Sequence, residues 1–449
     1  MRLSAISRED RGTAAAGADD DGSRVDWWLL FLLQCITIPQ IFFTPGLVAS
    51  ALVTLALIAR RPAQSLRVIL RYWPAYALVL LALVSVFWSE QPDKTLRTAL
   101  TTLMLAFSAV VFATRVGITR AVSALFLASF VMAIIQLASH RTGAAVEGMV
   151  PIGLMGAKNG FSFFGQQLLV LSLAMALDGK QPKPLRWLTL PATLMALYIL
   201  AATHSAGGMV SAAIGSVILI GMVVIGKASA QVRALCLAAM VVICAPLAVS
   251  HQEVETAASE FSQDVLKKDT TLTGRAYLWY RAQPIMAQKP WLGHGSQAFW
   301  TQGNEDAEGL WNWAKNKSRG GFNFHNTYIE MRVDLGMVGL IGLVGTLVIM
   351  VLLSATAWLT APNVGLAWMF ATMIALLSRT PTESMVSNIL PQIATWLVYA
   401  WVGLKRDSPA PVAPTRTATR ERRQYQRGAA RGPVAGRARQ SAPSSGSTE

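Results

Sequence analysis

The chain has 449 residues, of which 53% are apolar and only 14% charged, and its formal net charge is +15. An average soluble domain carries about 25% charged residues, so this composition excludes an ordinary soluble protein. The basic excess does not point to nucleic acid. Lys and Arg sit mainly in short loops and in the C-terminal stretch, where they set membrane topology and meet anionic headgroups.

Apolar runs of about 17–22 residues recur along the chain, the length that crosses a hydrocarbon core as helix. The apolar–polar alternation of a membrane β-barrel is missing. The fold class is therefore an all-α polytopic membrane protein. The three cysteines, Cys35, Cys236 and Cys244, all lie in apolar runs and form neither a disulfide framework nor a metal spacing.

Residues 1–26 carry Asp19-Asp20-Asp21 among Ala, Gly and Ser and read as a disordered cytoplasmic segment. They are too long and too acidic for a signal-peptide n-region, so the first span is expected to be retained. Twelve spans are predicted, at about 27–43, 46–59, 72–88, 97–114, 119–138, 160–177, 186–203, 207–226, 232–250, 333–354, 363–379 and 386–404. Thr44-Pro45-Gly46 is read as the turn that splits the first two.

Placing both termini in the cytoplasm puts Arg60, Arg61, Arg67, Arg71, Arg115, Arg120, Lys180, Lys183, Arg186, Lys227 and Arg233 inside. It leaves the short outer loops only Lys94, Arg141, Lys158 and Arg379. The organisation that follows is spans 1–9 over 27–250, a large periplasmic loop over 251–332, spans 10–12 over 333–404, and a disordered basic cytoplasmic tail over 405–449. The large loop is expected to pack back onto the spans instead of building a core of its own.

That loop is the only long polar interval between apolar spans. It opens on Thr271-Leu272-Thr273-Gly274, hydroxyls suited to cap a helix running to about Gln288, with Pro284 as a possible kink. Arg275 falls in the first turn and Trp279 one turn later on the same face. Arg275 is always charged, and its planar fork suits carboxylate, phosphate or pyrophosphate. Imidazole suits general-base work on a hydroxyl, and His325 lies in a polar cluster with Asn323, Asn326, Thr327 and Tyr328. Trp291, Trp300, Trp311 and Trp313 fit sugar stacking and membrane-interface anchoring equally. His294, between two glycines, is a rival base, read as a turn residue. The pairs Glu90/Asp93 and Asp306/Glu308 lack any accompanying His pair or Cys cluster, so no metal site is assigned.

Gly274-Arg275-x-x-x-Trp279, Pro290-x-x-Gly293-x-Gly295 and His325-Asn326-x-Tyr328-x-Glu330, with Gly336 and Gly339 beyond, resemble the O-antigen ligase-like superfamily. This superfamily holds lipopolysaccharide O-antigen ligases, Wzy-type polysaccharide polymerases and bacterial protein O-oligosaccharyltransferases. Trp88-Ser89-Glu90-Gln91-Pro92 is similar to a Trp-Ser-x-x-Pro loop of the exopolysaccharide-polymerase branch, and Gly153-x-x-x-x-Lys158-Asn159 to a second segment found there.

The resemblance implies a glycosyltransferase of the inner membrane, working at its periplasmic face. It would polymerise undecaprenyl-pyrophosphate-linked repeat units into exopolysaccharide without nucleotide sugar, metal or other cofactor. The alternative is a ligase that moves a lipid-linked glycan to lipid A-core. It implies Arg275 at the pyrophosphate and His325 at the acceptor hydroxyl. Arg281, Lys158 and Arg319 would be further phosphate contacts, with Trp279 and Asn326 beside the substrate. Membrane lipids and a chain-length-regulating co-polymerase are the implied partners.

One departure stands out. The family often places a basic residue in a Ser-x-x-basic pattern, whereas Thr203-His204-Ser205-Ala206-Gly207-Gly208 has no Lys or Arg there. His204, Lys158 or another arginine would have to substitute. A transporter is a rival class, but its ionisable residues should lie at mid-span, and here the span centres are nearly free of them. An export-complex scaffold is a third and would not need the Arg275/His325 pair.

Overall fold

The computed structural model describes residues 24–39, 43–145, 148–249, 272–317, 319, 322–385 and 399. They are almost entirely helical. A short helix α1 covers 24–37, and α2 (Phe43–Arg60) follows. Pro45-Gly46 thus lies in the first turn of α2, where proline needs no hydrogen-bond partner, and the expected split falls before Phe43.

α3 (Pro62–Arg71) leaves α2 at 108°. It was expected as loop, but Pro62 starts a helix whose buried side carries Ser65 and Ile69. Leu66 and Leu70 face outward beside Arg67 and Arg71, the pattern of a helix lying in a membrane interface. A broken apolar stretch, Trp73–Phe87, contains α4 (Ala77–Val84).

Among the described residues, six helices are long and apolar enough to cross a membrane. They are α5 (Pro92–Arg115), α6 (Ile118–Ala138), α7 (Lys158–Leu177), the run Lys183–Ala202, α10 (Ala206–Ile225) and α14 (Thr327–Thr360). The run Lys183–Ala202 comprises α8 (Lys183–Trp187) and α9 (Thr189–Ala202). The bent α2/α3 pair would be a seventh, and Trp73–Phe87, the part Ala230–Ala239 of a longer helix (Ala230–Val249) and Val364–Leu377 are apolar but shorter. The expected first span shrinks to α1, about 21 Å at 1.5 Å per residue, short of a ~30 Å core. The expected span at 386–404 lies outside the described residues, apart from 399.

α7 sits at the centre and packs against α9, α10, α6 and α15 (Val364–Leu377). It buries Phe161, Leu168 and Met175. α11 (Ala230–Val249) packs on α14. Among the described residues two strands form a hairpin: β1 (Thr142–Ala145) pairs antiparallel with β2 (Gly148–Pro151), Thr142 opposite Pro151. This hairpin and the turn at Gly153–Met155 lead into α7, so Lys158 and Asn159 form its first turn.

The large loop packs back on the spans but also has its own core. α12 (Leu272–Gln288) contains Pro284 without ending there, and α13 (Glu305–Trp313) is capped by Asn304, whose side chain accepts from Ala307 N. Leu278, Ala282, Ile285 and Met286 of α12 close on Phe299, Leu310, Trp311, Phe324 and Val333. The expectation that the loop would lack a core overlooked this aromatic content.

The loop is clamped to the spans where α14 breaks. Gly336 has φ 66° and ψ −159° inside that helix. The backbone groups freed by the break take loop partners. Met337 N donates to Pro290 O (2.9 Å) and Val338 N to Trp291 O (3.2 Å). Val333 O and Asp334 O accept from His294 N and Gly295 N, both at 2.9 Å. A Cβ on Gly336 would lie 2.2 Å from the Trp291 carbonyl carbon, and one on Gly293 2.6 Å from Asp334 O. No side chain fits at either position.

The segment from Trp88 to Thr95 closes the clamp from the other side. Trp88 Nε1 donates to Leu292 O (2.9 Å), Glu90 N to His294 O (3.0 Å) and Thr95 Oγ1 to Ser296 O (2.8 Å). Trp-Ser-x-x-Pro and Pro-x-x-Gly-x-Gly are therefore two halves of one joint.

Candidate active site

Four segments distant in sequence meet beside the start of α14. Arg275 comes from the first turns of α12. His325 precedes α14, Asn159 lies in the first turn of α7, and Glu383 follows α15.

His325 is held by its own backbone. Its φ is 50°, the left-handed region that a non-glycine residue adopts only when its surroundings impose it. Its N–H donates to Asn323 Oδ1 (2.8 Å). Asn326 then caps α14, accepting from Tyr328 N (2.9 Å) and Ile329 N (3.1 Å). Trp279 Nε1 donates to Phe324 O (2.9 Å), tying α12 to the residue before His325. Glu330 accepts from Trp300 Nε1 (2.8 Å) and Phe324 N (2.9 Å).

Thr327 and Tyr328 dock the segment that carries Glu383. Thr327 N donates to Thr380 O (2.9 Å), Thr327 Oγ1 donates to Glu383 O (2.7 Å), and Met385 N donates to Thr327 Oγ1 (3.1 Å). Tyr328 Oη and Thr380 Oγ1 are 2.9 Å apart. In this motif Asn326, Thr327 and Tyr328 spend their polar groups on fixing the local backbone and the Glu383 segment, while the His325 ring stays turned toward Glu383.

Glu383 is the hub. Its Oε1 accepts from Arg275 Nη2 (2.9 Å) and Asn159 Nδ2 (2.8 Å), and its Oε2 faces His325 Nδ1 at 3.4 Å. Burial alone would raise this carboxyl. The His325 hydrogen bond and the charges of Arg275, His325 and Arg379 outweigh burial and hold it below the ordinary glutamate value. The Arg275 and His325 side chains are 27% and 30% exposed, so a ligand can reach both.

Arg379 stands behind the carboxylate, 2% exposed. It donates from Nη1 to Gln166 Oε1 (3.3 Å) and from Nη2 to Asn159 O (3.3 Å), and it lies 5.3 Å from the Phe163 ring centre. Gln166 Oε1 also accepts from Ser211 Oγ of α10 (2.7 Å). A guanidinium thus reaches the seam of α7 and α10, the helix that opens at the basic-poor stretch 203–208.

The structure brings together Arg275 and His325, with Lys158 beside Asn159. Arg281 and Arg319 are engaged elsewhere. Arg281 Nη2 is 3.8 Å from Asp306 Oδ1 and Arg319 Nη2 is 3.0 Å from Glu308 Oε2, both on α13. Trp279 and Asn326 spend their polar groups on backbone partners.

The rival base His294 is only 2% exposed, with Nδ1 2.8 Å from Glu90 Oε1 and Nε2 3.3 Å from Ile285 O. It belongs to the clamp and is not the exposed turn residue expected. Three of the four paired acids likewise meet basic groups, Glu90 with Lys289 and His294, Asp306 with Arg281 and Glu308 with Arg319. Glu90, which burial alone would raise, is lowered by Lys289 and His294. Of the tryptophans, Trp311 is core and Trp300 is bound to Glu330. Trp313 lies 4.4 Å from Tyr277, and Trp291 remains 67% exposed.

Sequence reasoning missed Glu383 and passed over Arg379 as a sparse loop charge. The available signal was a basic and an acidic residue four positions apart in a loop otherwise free of charge.

Residues 191–344 match a protein-family model described as O-antigen ligase. The chain is 29% identical over 269 residues to the exopolysaccharide production protein ExoQ of Rhizobium meliloti (strain 1021). That match covers 59% of this chain and 61% of the relative's length, under two thirds of it. The family segment runs from α9 into α14 and contains both Arg275 and His325. The chain is therefore similar to the O-antigen ligase-like superfamily, on its exopolysaccharide side, over residues 191–344 by the family model and over 269 residues by the relative.

Proposed function

We propose that the protein is a glycosyltransferase at the periplasmic face of the bacterial inner membrane. It polymerises undecaprenyl-pyrophosphate-linked repeat units into exopolysaccharide. The observation that carries this reading is the Glu383 carboxylate, with Arg275 at 2.9 Å on one oxygen and His325 at 3.4 Å on the other. It sets a cation suited to pyrophosphate beside an imidazole suited to a hydroxyl.

His325 Nε2 takes the proton of the acceptor hydroxyl as its oxygen bonds to the anomeric carbon of the donor. The bond from that carbon to the pyrophosphate breaks, and its electron pair leaves with the lipid pyrophosphate. Arg275 neutralises the charge that develops there. Glu383 accepts Nδ1–H, which keeps the lone pair on Nε2 and stabilises the imidazolium that forms. The proton then passes from His325 to water. Arg379 supplies the positive charge that the 203–208 stretch lacks, and Lys158 adds a phosphate contact. Arg281 and Arg319 meet the glycan further out, where substrate competes with Asp306 and Glu308.

The exopolysaccharide name of the relative supports elongation over transfer to lipid A-core. Purified protein given a lipid-linked repeat unit should produce a ladder of lengthening products on a gel. Transfer to lipid A-core without a ladder would make it a ligase. No covalent product would favour transport.

A further inference from the structure

The proposed reaction gives no step to Glu330, the acid that ends the His325-Asn326-x-Tyr328-x-Glu330 pattern. This residue lies in the first turn of α14 and is 3% exposed. Trp300 and Phe324, whose ring centres are 4.9 Å apart, both donate to it. A carboxylate buried beside aromatic rings is costly unless donors meet its oxygens. The segments those donors belong to therefore show what the acid holds together.

Two of the donors flank the Glu383/His325 pair. Oε2 accepts from the backbone N–H of Phe324 (2.9 Å), the residue before His325. Ser384, the residue after Glu383, hydrogen-bonds the same carboxylate through its side chain. Phe324 is held at its other backbone group as well, since its carbonyl accepts from Trp279 Nε1 (2.9 Å). His325 follows with φ 50°, a conformation that persists only where its neighbours are fixed. One carboxylate thus spans the two backbone segments whose side chains, His325 and Glu383, face each other at 3.4 Å. Asp334, one turn further along α14 and also buried, serves the clamp instead, its Oδ2 accepting from Gln297 N and Nε2, both at 3.0 Å.

We propose that Glu330 is a positioning residue, which sets the separation and orientation of His325 and Glu383 without meeting substrate itself. Its effect on turnover rests on the glycosyltransferase reading, whereas its effect on the His325–Glu383 contact does not. Glu330→Gln keeps the shape of the side chain but turns one acceptor oxygen into an amide donor, so at least one of its bonds is lost.

The test treats the full-length protein in detergent with diethyl pyrocarbonate and follows carbethoxylation of His325 by peptide mass spectrometry. The rate in Glu330→Gln should change by about 5-fold or more, in the same direction and to the same extent as in Glu383→Gln. Trp88→Phe, which weakens the clamp, should leave it at the wild-type value. If Glu330→Gln fails to accumulate, Ser384→Ala, on a half-buried side chain, carries the same comparison. A wild-type rate in Glu330→Gln (or in Ser384→Ala standing in for it), a change that Glu383→Gln does not share, or an equal change in Trp88→Phe would overturn the assignment. In elongation assays Glu330→Gln should lower kcat by roughly 10–10²-fold with KM within about 2-fold, and should add no loss to His325→Ala. A full additional loss in that background would overturn it too. The carbethoxylation measurement needs no turnover, so a wild type that makes no product would refute the glycosyltransferase reading alone.

Discussion

Two regions built from the same stretch of motifs behave in opposite ways. At the clamp, the Pro290–Gly295 backbone fills the break at Gly336, and the contacts are backbone groups, buried side chains and glycines that no side chain can replace. At the Glu383 cluster the contacts are charged side chains, roughly a quarter exposed, drawn from four distant segments. Partner type separates them. A motif residue spent on backbone groups is scaffold, and one whose polar group meets another ionisable group in the open is available for chemistry.

The sharpest break of this comparison is His325→Ala. It should lower chain elongation by ~10²–10⁴, the usual contribution of a general base, while membrane level and Tm in detergent stay near wild type. Arg275→Ala should follow with ~10²–10³ lost from turnover, as for other groups that stabilise developing charge.

The clamp should respond the other way. Gly336→Ala forces a Cβ into the Trp291 carbonyl and should cost on the order of 1–3 kcal/mol or more, seen as a lower Tm and lower membrane yield. Activity per folded molecule should hardly change.

Glu383 adds a pH test. Its folded-state carboxyl lies below the ordinary value of 4.5, so the ionised cluster is fully present above that value and lost as the pH falls through the lowered one. Glu383→Gln should remove this acid-side loss of stability and reduce activity by roughly 10–10² at neutral pH. Trp88→Phe should be the mildest change, about 1 kcal/mol from one hydrogen bond to Leu292 O, read from Tm.

Much of this was legible beforehand. Long apolar runs announce membrane helices because the hydrocarbon core fixes their length, and a polar interval between them draws the eye to Arg275 and His325. Loops that the charge pattern assigns to one side do touch, since Arg115 hydrogen-bonds Leu57 O and Ser65 Oγ and Arg233 reaches Leu359 O.

What escaped the sequence depends on contacts across distance. Glu383 is 108 residues from Arg275 and 58 from His325, so no spacing rule links them. α3 was hidden because a short amphipathic helix between spans reads as a basic loop. His294 looked exposed because its flanking glycines suggest a turn. In the fold those glycines serve the close approach to α14, and the histidine goes inward to Glu90.

The central claim is that Arg275, His325 and Glu383 act as one unit. The most direct test measures product length and turnover for His325→Ala, Glu383→Gln and the His325→Ala/Glu383→Gln double variant at equal folded amounts. If Glu383 acts through His325, the double variant should be no slower than His325→Ala alone. Full multiplication of the two single losses would make them independent, and wild-type turnover in His325→Ala would contradict the account outright.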